Sequence, residues 1–131
     1  MRHLALAAAT CLHATSAGAQ APSHRVDLGC QPTGAPLVYL CTVGVADAAG
    51  KPVDGADLIL SADMPSMPMA HSVKPVKAQA VAGKPGAYAC RIELEMLGEW
   101  AVKLQFKAPR PDVVVRKLDF QKDRVTPATP R

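Results

Sequence analysis

Aromatic side chains are scarce: the 131 residues hold one Trp, two Tyr and two Phe. That is too few for a base-stacking platform, and the basic residues are scattered, so both features argue against nucleic-acid binding. The formal net charge of +4 is also modest. His is rare, with only His24 and His71 beyond residue 20. No Ser/His/Asp arrangement, Gly-rich phosphate loop or paired acidic pocket is recognisable, so an enzyme is not expected. After the first dozen residues there is no apolar run long enough to cross a bilayer. Internal repeats and amphipathic helical periodicity are likewise missing.

What is present begins with the pattern of an export signal. Arg2 and His3 form a short polar start, Leu4 to Leu12 is apolar, and Ala17-Gly18-Ala19 is a small-x-small cleavage site. Residues 1–19 are therefore expected to be removed, leaving a periplasmic chain that starts at Gln20 and has no membrane span. Cys11 falls within the removed segment. Cleavage after Ala21 instead would make His24 the third residue and create an amino-terminal Cu(II) site. Cys30, Cys41 and Cys90 remain, and an oxidising compartment favours one disulfide with one thiol left over. Cys41 with Cys90 is slightly favoured, because both fall on apolar faces. Cys30 paired with either of them is the rival.

Gly/Pro turns divide the rest into about seven short segments of strand character. Two are clean. Tyr88, Cys90, Ile92, Leu94 and Met96 alternate with polar or small residues, and so do Trp100, Val102, Leu104 and Phe106. The others are Arg25 to Cys30, Leu37 to Ala46, Asp57 to Asp63, an irregular Val73 to Val81 containing Pro75, and Val113 to Phe120. These predict an all-β, seven-stranded antiparallel sandwich over residues 24–121, with a disordered tail over 122–131. Trp100 is the expected central aromatic.

The segment Asp63-Met64-Pro65-Ser66-Met67-Pro68-Met69-Ala70-His71 gathers three of the four Met that follow the initiator. Pro65 and Pro68 argue against helix and central strand, which predicts a stiff, extended surface loop. Extended geometry would point Met67, Met69 and His71 the same way, and Met64 would join them through a bend. Thioethers with one imidazole suit Cu(I), so Met64, Met67, Met69 and His71 are the candidate metal ligands. The plain alternative is that the Met fill gaps over the core. Met96 is expected in the core unless the loop folds over the corner from Glu95 to Trp100. Glu93 and Glu95 are expected on a solvated strand face.

Asp47-Ala48-Ala49-Gly50-Lys51-Pro52-Val53-Asp54-Gly55-Ala56, the Met/Pro/His loop, the turn Pro85-Gly86-Ala87-Tyr88 and the corner Leu97-Gly98-Glu99-Trp100 occur in the order seen in YtkA-like and FixH-like domains. The stretch from residue 37 to 107 resembles that family. The resemblance implies an exported immunoglobulin-like β-sandwich associated with copper handling, heavy-metal efflux or oxidase assembly. FixH-like proteins usually keep a membrane helix, which is not apparent here, and the three Cys lie outside the family pattern. The resulting expectation is a periplasmic copper-binding chaperone or sequestering module, with a copper-accepting or efflux protein as partner. The alternative is a metal-free protein-interaction or assembly module.

Overall fold

A computed structural model describes residues 24–67 and 70–128. The expected signal segment, Cys11 and the start at Gln20 lie outside them, as does Met69. The chain forms β1 (Arg25–Pro32), β2 (Val38–Ala46), β3 (Asp57–Asp63), β4 (Ser72–Lys77), β5 (Gln79–Ala80), β6 (Ala87–Glu93), β7 (Gly98–Ala108), β8 (Asp112–Phe120) and β9 (Val125–Pro127). One antiparallel sheet has the order β1-β2-β6-β5, and the other β4-β3-β7-β8-β9. No helix among the described residues is long and apolar enough to cross a membrane.

The two sheets make a β-sandwich whose shared core is the set of residues the alternation marked. Tyr39, Cys41 and Val43 from β2, Tyr88 and Ile92 from β6, Leu58 and Leu60 from β3, and Trp100, Val102, Leu104 and Phe106 from β7 are all buried. Burying alternate side chains of paired strands drives the sheets together, and each fully buried large side chain contributes about 1.5–3 kcal/mol. The buried phenols are satisfied: Tyr39 donates to the Gln121 carbonyl at 2.7 Å, and Tyr88 to the Val53 carbonyl at 2.7 Å. Tyr39 also meets Phe120 edge-on, with ring centroids 4.9 Å apart.

The structure has nine strands among the described residues, not seven, for two reasons. The segment expected as one irregular strand is split. β4 skips register opposite Leu60 and Ala62, and Pro75 lies in that irregular stretch, where a missing N–H costs nothing. Ala78 is buried, donates to the Leu58 carbonyl at 2.9 Å, and passes the chain to β5 in the other sheet. The second reason is in the expected tail, where Val125–Pro127 pairs with β8 as β9.

The disulfide joins Cys30 to Cys41, the rival pairing, and Cys90 is the free, buried cysteine. The register explains why the faces misled. Cys41 stands opposite both Cys30 and Cys90, so inward orientation does not choose between them.

Two of the quoted motifs form one latch at the far end of the sandwich from the methionine loop. Asp47 Oδ1 accepts from the amides of Ala49 and Lys51, both at 2.9 Å, and closes the turn after β2. The Gly86 amide donates to Asp54 Oδ1 at 2.8 Å, and the Ala56 amide to the Tyr88 hydroxyl at 2.9 Å. Gly86 has φ +72°, and a Cβ there would lie 2.7 Å from the Val45 carbonyl oxygen and 2.9 Å from Pro52 Cβ. Gly86→Ala is expected to cost about 1–3 kcal/mol from crowding and the left-handed backbone. Denaturant unfolding measures it, and an unchanged midpoint would disprove the latch.

Candidate metal corner

The loop between β3 and β4 leaves the sheet at Asp63, whose register partners are Ser72 and Ala101. Its backbone is turned rather than extended. The Met67 amide donates to the Met64 carbonyl at 3.1 Å, and the Ala70 amide to the Met67 carbonyl at 3.2 Å. The Met64 amide lies 3.4 Å from the His71 carbonyl and closes the loop at its base. The expectation of a stiff, extended loop is thereby corrected. Pro at the second position of a tight turn presets φ near −65°, so Pro65 favours the fold-back.

Folding back lays the loop against the turn between β6 and β7. β6 ends at Glu93, so Leu94 to Leu97 form that turn. Two contacts fasten the loop, one to the turn and one to the first residue of β7. His71 Nδ1 meets Glu95 Oε2. Met64 Cε lies 3.2 Å from where a Gly98 Cβ would stand, and Gly98 itself has φ +128°, a conformation glycine adopts readily. Trp100, fully buried, donates its indole N–H to the Met96 carbonyl at 3.2 Å and ties the turn to the core.

The candidate ligands are therefore placed as follows. Met64 is buried at 4% exposure and belongs to the core cluster. Met67 is half-buried against that cluster. His71 is partly exposed, with Nε2 left for a ligand once Nδ1 faces Glu95. Met69 lies outside the described residues. Met96 was expected on a strand face. It sits instead in the turn, half-buried, on the segment the loop folds over. Glu95 is exposed, as expected, but it lies in the same turn rather than on a strand, and it touches His71. Sequence reasoning missed Glu95 and demoted Met96 because alternation appeared to continue three residues past the end of β6. Leu97-Gly98 was the signal that the strand had stopped.

Among the described residues no group of three or more His, Cys, Asp and Glu is gathered so as to hold a metal. The donors at this corner are thioethers and one imidazole, a soft set that fits Cu(I) and fits harder cations poorly. His24 is a different case. It is buried, its Nδ1 lies 3.2 Å from Asp112 Oδ2, and its ring stacks on Phe106 at 4.3 Å. An amino-terminal Cu(II) site would need that Nδ1 released.

Comparison with known families agrees with the motifs. The profile of the YtkA-like family matches residues 38–105, just over half of the chain. The chain belongs to the YtkA-like family. Among curated proteins no sequence matches it significantly. The matched stretch contains both the latch and the methionine corner.

Met64 gives this corner a stability readout. Met64→Ala should cost about 2–5 kcal/mol, and Met64→Leu under about 1.5 kcal/mol, because only the first opens a cavity. Equal, negligible losses in thermal unfolding would remove Met64 from the core.

Proposed function

We propose that this protein binds Cu(I) through Met64, Met67, Met69, Met96 and His71, and serves as a periplasmic copper chaperone or sequestering module in copper handling or oxidase assembly. The observation that carries the reading is that the methionine loop folds onto the turn bearing Met96 and Glu95. Soft donors from two segments then share one corner of a rigid sandwich. Neutral thioethers bind Cu(I) without first losing protons, and a half-buried setting shields the ion from water. Glu95 holds Nδ1 of His71 and leaves Nε2 to the metal, the carboxylate–histidine arrangement that orients metal-binding imidazoles. A copper-accepting or efflux protein would meet the domain at this end. The immunoglobulin-like arrangement implied by the family is part of the same proposal, supported by two facing antiparallel sheets.

A metal-free contact module is the second reading. Leu97 at the tip of the turn is 40% exposed and lines a cleft with Pro36, Leu37 and Val38.

Titration of Cu(I) against a competing chelator separates the two. The Met67→Leu/Met96→Leu variant keeps bulk and apolarity, so it should unfold within about 1.5 kcal/mol of the parent while losing most of its Cu(I) affinity. Unchanged affinity would hand the corner to the contact reading. Glu95→Ala should weaken Cu(I) binding by about 10-fold or more. An effect no larger than that of a remote surface carboxylate such as Asp27→Ala would deny it the orienting role.

A further inference from the structure

The three cysteines among the described residues stand in one row across a sheet. Cys30 of β1, Cys41 of β2 and Cys90 of β6 are successive register partners, so they share one face, and Cys41 lies between the other two. Directly opposed residues have Cβ atoms about 4.5–5.5 Å apart, within reach of sulfur–sulfur contact. Cys41 is already bonded to Cys30, and Cys90 is free. A thiolate attacks a disulfide along the sulfur–sulfur axis, from the side opposite the leaving sulfur. In a row perpendicular to the strands, Cys90 approaches Cys41 from the side opposite Cys30.

We propose that this row is a thiol–disulfide exchange site. Cys90 attacks Sγ of Cys41, the Cys41–Cys90 bond forms as the Cys30–Cys41 bond breaks, and Cys30 departs as a thiolate. Cys30 then takes up a proton equivalent to the one Cys90 released. One disulfide is exchanged for another, with no external oxidant or reductant. The free thiol moves from a buried central position to half-buried Cys30 on β1, the outer strand of the sheet. There it can attack an accessible disulfide of a partner, forming a mixed disulfide and releasing the partner's other sulfur as a thiolate. Burial pushes the Cys90 thiol up to about 11, which keeps the first step slow at neutral pH and lets the Cys30–Cys41 bond persist beside a free thiol.

The test is alkylation of the native, oxidised protein with N-ethylmaleimide for several hours at pH 8, followed by tryptic mapping without reduction. Lys51, Lys74 and Lys84 each precede Pro and resist cleavage, so Cys30 and Cys41 fall in peptide 26–77 and Cys90 in peptide 78–91. The expected result is label on Cys30 and a disulfide joining the two peptides. Cys90→Ala should take no label while folded. Cys30→Ser should oxidise to a Cys41–Cys90 bond. Label on Cys90 in the native protein, no label until denaturant is added, or two persistent free thiols in oxidised Cys30→Ser would each overturn the proposal.

Discussion

Antiparallel pairing of β3 with β7, from Leu58 opposite Phe106 to Asp63 opposite Ala101, fixes where the methionine loop leaves the sheet. Leu58, Leu60 and Ala62 face Val102, Leu104 and Phe106 in the core, and all six are buried. A slip of one residue would turn that apolar set outward, so the register is strongly specified. The same register brings Met64 out beside Gly98, at the mouth of the β6–β7 turn. The corner is thus a consequence of core packing: the sandwich supplies the rigidity, and two adjoining loops supply the thioethers and the imidazole.

The fold was legible where one face is wet and the other dry. β6 and β7 read cleanly because Tyr88, Cys90 and Ile92, and Trp100, Val102, Leu104 and Phe106, alternate with polar or small residues. β4 and β5 did not, because alternation along Val73 to Val81 says nothing about which sheet each half joins. The change of sheet depends on Ala78, a small residue buried by its neighbours rather than by any local pattern. β9 was hidden for a related reason: three residues of a charged, Pro-containing segment carry little pattern, and they pair because β8 offers an open edge. The disulfide was half legible. The inward positions of Cys41 and Cys90 could be read, but the row that adds Cys30, and with it the choice of partner, depends on a strand order that sequence does not contain.

The corner divides in the same way. Residue type pointed to soft-metal chemistry at Met64, Met67, Met69 and His71. The loop's turned path, the core position of Met64, and the arrival of Met96 and Glu95 from 24 or more residues away are tertiary facts. Two kinds of sulfur chemistry therefore occupy one domain. The thioethers at the corner are neutral and suit Cu(I) without redox change. The cysteine row inside the four-stranded sheet carries the disulfide and the free thiol.

The most direct measurement is Cu K-edge X-ray absorption on the Cu(I)-loaded protein with selenomethionine in place of methionine. Selenium distinguishes the thioether positions from the cysteines. Direct Met ligation predicts a copper–selenium shell accompanied by imidazole scattering. A first shell of nitrogen, oxygen or cysteine sulfur alone would contradict it.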